Sequence, residues 1–166
     1  MNKLCNHFAK YYPLYLWILV GCTAFGRGYA VSLNVTNSLP GIFYLIEKNK
    51  AFKPAPNEMI AFLFEGDAFY SKGAVFVKIV KGIPGSIVSS KEADPVTHDY
   101  FVDNVFFGRA KPYSSTGVPI KRGPTGIIPE DHYYVYATHP DSLDSRYELV
   151  GWVRRNQIIG RAIRVF

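Results

Sequence analysis

The chain has only two cysteines, Cys5 and Cys22, and both precede residue 31. The remainder therefore has no disulfide framework, no cysteine nucleophile and no thiolate zinc site. Histidine is sparse too. His7, His98, His132 and His139 show no HExxH or comparable ligand spacing and read as solvated loop residues, so no metal is expected. No run of five or more Lys and Arg occurs, and Lys3, Lys10 and Arg27 supply three of the six net positive charges. Residues 31–166 keep a net charge of only +3. That is too little for a nucleic-acid groove, and no nucleic-acid partner is expected. Beyond the N-terminal segment the sequence has no long stretch of helical periodicity, no internal repeat and no low-complexity tract.

What the chain does have is apolar content: 48% of 166 residues, enough for one globular domain with a core plus a short accessory segment. The accessory segment is N-terminal. Sixteen uncharged residues, Tyr11–Gly26, lie between Lys10 and Arg27. A membrane span needs about 20 apolar residues, a length reached here only if Arg27 snorkels and Gly28–Leu33 is included. Lys3 and Lys10 then place the N-terminus inside and the rest outside by the positive-inside rule. The expected organisation is a cytoplasmic tail over 1–10, a membrane anchor over 11–31 and one globular domain over 32–166. Two alternatives stay open. One is a signal peptide cleaved near Ala30. The other is lipidation at Cys22, since Leu19-Val20-Gly21-Cys22 matches a lipoprotein cleavage box. Each puts residues 31–166 outside the cytoplasmic membrane.

Residues 32–166 read as mainly β, with 14 Gly and 11 Pro in the chain and short runs of β-branched and aromatic residues. Strands are expected at Ile42–Ile46, Met59–Phe64, Ala74–Lys81, Ser86–Ser89, Tyr100–Val102, Val105–Phe107, Tyr133–Thr138, Gly151–Val153 and Ile158–Val165. Asp103-Asn104 reads as a tight hairpin turn. Arg122-Gly123-Pro124-Thr125-Gly126 reads as a loop, and residues 87–130 as an excursion from the main sheet.

One charge is out of place. Lys78 interrupts the apolar run Ala74-Val75-Phe76-Val77-Lys78-Ile79-Val80. On a strand, Lys78 shares a face with Phe76 and Val80. An ammonium buried without a partner is costly, so such a lysine tends to neutralise. To act as a base near neutral pH its pKa must fall by about 3 units, or ~4 kcal/mol of desolvation. Lys81, just before Gly82, can snorkel out as an ordinary edge lysine. A neutral lysine needs a nucleophile, and Ser38 in Thr36-Asn37-Ser38-Leu39-Pro40-Gly41 is a candidate. Pro40 holds Leu39 extended and Gly41 permits a sharp turn that can lift the hydroxyl. The third cluster, Asp141-Ser142-Leu143-Asp144-Ser145-Arg146, combines hydroxyls, carboxylates and a guanidinium. A hydroxyl there can orient the lysine while Asp144 and Arg146 brace the loop.

These segments resemble the boxes of type I signal peptidases. Lys78-Ile79-Val80-Lys81-Gly82-Ile83-Pro84-Gly85 is similar to the lysine box K-x-x-x-G-x-P-G. Ser142-Leu143-Asp144-Ser145-Arg146 with Gly151 and Gly160-Arg161-Ala162 is similar to S-x-D-S-R…G…G-R-A. Thr36–Gly41 resembles the serine box. Three departures stand out: Leu39 where general signal peptidases carry Met, Ser86 where Asp follows the G-x-P-G, and Ala137-Thr138-His139-Pro140 in place of G-D-N-R. Ser38-Leu39-Pro40-Gly41 followed by Phe43-Tyr44, in a short chain with one N-terminal segment, is most like the TraF-type conjugative-transfer signal peptidases.

The resemblance implies a coiled antiparallel β-sheet domain behind one N-terminal membrane-anchor helix, with no cofactor and no metal. It makes Ser38 the nucleophile and Lys78 the general base. Thr36 and the Ser38 N–H become the oxyanion hole, Ser142 the lysine-orienting residue, and Asp144 and Arg146 structural support. The implied activity is serine endopeptidase maturation of an exported precursor, a pilin-like subunit or mating-channel component, by cleavage or by cleavage with cyclisation. The implied location is the bacterial inner membrane, in contact with its lipid, with the catalytic domain in the periplasm. Alternative readings are a housekeeping signal peptidase, a self-cleaving repressor-type serine/lysine protease and a non-catalytic scaffold of the transfer channel.

Overall fold

The computed structural model describes residues 2–34, 36 and 38–165, with the side chains of residues 2–6 left out. Lys3, Cys5 and Asn37, used above, thus fall wholly or in their side chains outside the described residues. The chain begins with helix α1, Asn2–Gly28. Eleven strands follow among the described residues: β1 Tyr29–Leu33, β2 Phe43–Lys48, β3 Met59–Leu63, β4 Val75–Gly82, β5 Ile87–Asp94, β6 Thr97–Val102, β7 Val105–Ala110, β8 Gly126–Ile127, β9 His132–Tyr136, β10 Val153–Arg154 and β11 Ile158–Arg164.

The strands form two antiparallel sheets. The larger runs β1-β2-β11-β3-β4-β9-β10 and the smaller β7-β6-β5-β8. The smaller sheet is the expected excursion. Its β6–β7 hairpin turns at Asp103 and Asn104, both at positive φ, as a two-residue turn matched to strand twist requires. In the large sheet β1 and β4 are separated by three strands, so a flat sheet would hold them about 19 Å apart. Both nevertheless line one cleft, because the sheet coils. Register shifts between Val80 and Gly82 and between Ile158 and Gly160 supply local bends. At Gly160 a Cβ would fall 1.9 Å from the carbonyl oxygen of Glu47, so only glycine lets β11 approach β2 there.

One expectation is corrected and one is not shown: among the described residues no helix is long and apolar enough to cross a membrane, so the span over 11–31 stays an expectation. Lys10 and Arg27 fence the apolar stretch, and tyrosines, Pro13 and Gly21 dilute it. Tyr29–Leu33, needed to lengthen it, leave the helix and pair with Phe43–Glu47 of β2. Gly126, read as loop, opens β8 and pairs with Val88 of β5.

Alternation along the strands sorts residues into three cores. Leu39, Tyr44, Ile46, Ala61, Ala137 and Ala162 pack beneath the Ser38 turn. Ile60, Phe62, Val80, Val135 and Val153 fill the centre of the large sheet. Val88, Tyr100, Val102, Ile128 and Tyr147 join the two sheets. Burying such side chains contributes roughly 1.5–3 kcal/mol each.

Candidate active site

Strand β4 places Lys78 opposite Ile60 of β3, on the face where Phe76 and Val80 pack against the central core. The side chain is 4% exposed. Its Nζ donates to Ser142 Oγ at 2.6 Å and lies 5.6 Å from the centroid of the Phe76 ring. Desolvation is the largest influence on this amine and lowers its pKa to about 8, while nearby Asp144 pulls upward and Arg146 downward. Lys81 is held elsewhere, donating to Asn57 Oδ1 at 2.7 Å and lying over the Phe107 ring.

Ser142 is fixed from beneath by a buried ion pair. Asp144 and Arg146 are 0% and 1% exposed. The guanidinium grips both carboxylate oxygens, Nε to Oδ1 at 2.9 Å and Nη2 to Oδ2 at 3.0 Å. Its other hydrogens reach the carbonyls of Arg109, Pro140 and Ser142. Asp144 also accepts from the Ala137 N–H at 3.1 Å, and Ser145 Oγ accepts from the Val135 N–H at 2.9 Å. The loop is thereby riveted to β9, with every buried polar group of the pair engaged.

Ser38 follows β1 on a tight turn whose carbonyl is held by the His139 N–H at 3.3 Å. Ser38 Oγ lies 3.0 Å from Thr36 Oγ1. Tyr44, buried below, donates its hydroxyl proton to the carbonyl of Pro40. Thr36, Ser38, Lys78 and Ser142 all line one cleft of about 700 Å³. Asp144 and Arg146 lie behind it and do not line it.

Several wall residues were not singled out in the sequence. Asn34 binds the Ser38 turn from inside. Phe69 and Tyr70 form one wall, and Tyr113–Thr116 with the Lys111–Asp141 ion pair form another. His139 sits in an exposed loop, as read, and that loop borders the cleft, whereas His7, His98 and His132, also read as loop residues, lie in α1, β6 and β9. A signal for His139 was present, since it stands where the general pattern has G-D-N-R. Among the described residues no three His, Cys, Asp or Glu side chains are grouped to hold a metal.

A buried amine with lowered basicity, a hydroxyl on a tight turn and a second hydroxyl beside it can together perform proton abstraction and acyl transfer. No curated protein matches the chain. The family described as signal peptidase, peptidase S26, matches residues 4–166. Matched over essentially its whole length, the chain belongs to the signal peptidase family, and it is a serine endopeptidase of the signal peptidase I type.

Proposed function

We propose that Ser38 is the nucleophile and Lys78 the general base of an endopeptidase that matures exported precursors. The observation that carries this is Lys78: a buried amine lowered to about 8, held on Ser142, in the cleft that Ser38 lines. At that value about a tenth of it is neutral at pH 7, against fewer than about one in a thousand for an ordinary lysine. Neutral Lys78 takes the Ser38 proton as Oγ bonds to the scissile carbonyl carbon. Thr36 Oγ1 and the Ser38 N–H receive the oxyanion, and the lysine ammonium protonates the departing amine as the C–N bond breaks. Water, its proton drawn off by Lys78, then releases the acyl group. A peptide amine taking the place of water gives a cyclic product.

The finer reading is a TraF-type enzyme acting on a pilin-like subunit or mating-channel component. Ser38-Leu39-Pro40-Gly41 with Tyr44, and the replacement of G-D-N-R by Ala137–Pro140, support it. Work at the outer surface of the cytoplasmic membrane is supported by exposed apolar surface. Tyr29, Val31 and Leu33 of β1, Phe43 of β2 and Ile163 of β11 share the uncovered face of the large sheet. Tyr29 stacks on Phe25 of α1, whose own apolar side chains are exposed along the helix.

The test uses an internally quenched peptide with a small residue before the scissile bond, and masses of pilin precursors with and without the enzyme. Ser38→Ala and Lys78→Ala are expected to abolish cleavage with the fold intact, and Lys81→Ala to retain most of it. Activity in Lys78→Ala with loss in Lys81→Ala would refute the assignment of the base.

A further inference from the structure

Asn34 lines the cleft, takes no part in the steps above, and touches nearly every part of the Ser38 turn. Its Nδ2 donates to the carbonyls of Leu39 at 2.7 Å and Gly41 at 3.0 Å. Carbonyl oxygens only accept, so the amide can face no other way. Oδ1 is therefore turned to Thr36, where it meets the backbone N–H at 3.4 Å and Oγ1 at 3.2 Å. The Asn34 N–H closes the base of the turn on the carbonyl of Ile42 at 2.8 Å.

Thr36 has one hydroxyl proton and two oxygen neighbours, Asn34 Oδ1 and Ser38 Oγ at 3.0 Å. Asn34 Oδ1 cannot donate, whereas Ser38 Oγ can do either. Two arrangements follow. In the first, Ser38 donates to Thr36 and Thr36 to Asn34, so the serine proton points away from Lys78. In the second, Thr36 donates to Ser38 Oγ, and the serine proton is free for Lys78. Passing from one to the other needs only rotation of hydroxyl hydrogens about their C–O bonds. No heavy atom moves, because Asn34 holds both the Thr36 backbone and the two carbonyls beyond Ser38.

We infer that Asn34 is a positioning residue: it holds Thr36 with its hydroxyl beside Ser38, so that the Thr36 proton turns to the oxyanion without reorganisation of the turn. This rests on the proposed roles of Ser38 and Thr36. Donors fixed before charge develops are the ones that lower a barrier most. The amide acceptor acts through the Thr36 hydroxyl, so that part of its effect vanishes where Thr36 has none, while the bonds to Leu39 and Gly41 hold the turn in either background.

The test is a double-mutant cycle on the full-length protein with the quenched peptide. Thr36→Val is expected to lower kcat by about 10²–10³ and Asn34→Ala by about 10–10², each with KM within about twofold of wild type. The double variant should lose clearly less than the product of the two single losses. Losses that multiply, a wild-type kcat in Asn34→Ala, or a loss confined to KM would overturn the role. Cooperative thermal unfolding reports whether each variant is folded. If Asn34→Ala is not, the cycle is read on Asn34→Ser, which keeps a donor for the turn and removes the amide acceptor at Thr36. Wild-type cleavage lost in Ser38→Ala secures the underlying reading separately. A wild type that leaves both peptide and precursors intact overturns that reading and this one with it.

Discussion

Lys78 and Ser142 stand 64 positions apart in the chain and meet at 2.6 Å, Nζ donating to Oγ in a buried setting. The contact decides where the amine points. A four-carbon stem has several rotamers, and one hydrogen bond at its tip selects the rotamer that the cleft needs.

Ser142→Ala is expected to lower kcat by about 10–10² through misorientation of Lys78. It should also shift the pH–rate profile. The hydroxyl accepts from the ammonium and so favours the charged form; its loss makes Lys78 easier to deprotonate. The rising limb, centred near the Lys78 pKa of about 8, should move to lower pH while the plateau falls. A limb left in place in a slower enzyme would count against an orienting role.

Asp144 and Arg146 act on the same amine in opposite senses, one raising and the other lowering its pKa. Asp144→Asn should move the limb down and Arg146→Met should move it up. Each also leaves a buried partner uncompensated, at a cost of about 3–5 kcal/mol in unfolding free energy. Denaturant titration measures the second effect and the pH–rate profile the first. Limbs moving in the same direction would sink the electrostatic account.

Legibility followed chemistry. A lone charge in an apolar run made Lys78 visible, since burial of an ammonium has few explanations. The strands from Phe43 onward, β8 excepted, were visible through alternation and turn residues. Strand β1 was not: Tyr29–Leu33 continues an uncharged apolar stretch, and its alternation of exposed and half-buried positions has meaning only beside β2. Asn34 was silent because its work is done on carbonyls at 39 and 41 and on one hydroxyl, and no pattern of residue types reports that. The cleft walls at Phe69–Tyr70 and Tyr113–Thr116 come from segments outside every expected strand, which the coiled sheet brings to the cleft.

The uncovered sheet face predicts lipid binding that is separable from catalysis. Val31 and Ile163 flank Leu45 across three adjacent strands, and both are exposed. Val31→Thr with Ile163→Thr keeps strand-forming side chains and removes apolar surface. Binding to phosphatidylethanolamine/phosphatidylglycerol vesicles should weaken by about tenfold or more. Cleavage of a soluble peptide should be unchanged. Unaltered vesicle binding in a flotation assay would assign membrane contact to some other surface.

The last prediction concerns what the fold gives up to hold Lys78. Its folded pKa of about 8 lies below the ordinary 10.5, so the protonated form is disfavoured by folding. The difference corresponds to about 3 kcal/mol. That penalty is present in full below pH 8, shrinks as pH rises from 8 to 10.5, and is gone above. Lys78→Met fills the same slot with no charge and loses only the bond to Ser142, worth about 1 kcal/mol. The variant should be inactive and yet more stable than wild type by about 2 kcal/mol at pH 7, with the gap closing toward pH 10.5. Chemical denaturation at several pH values measures it. A variant less stable than wild type at pH 7, or a gap that does not narrow with rising pH, would show that the buried amine is not held at a cost to the fold.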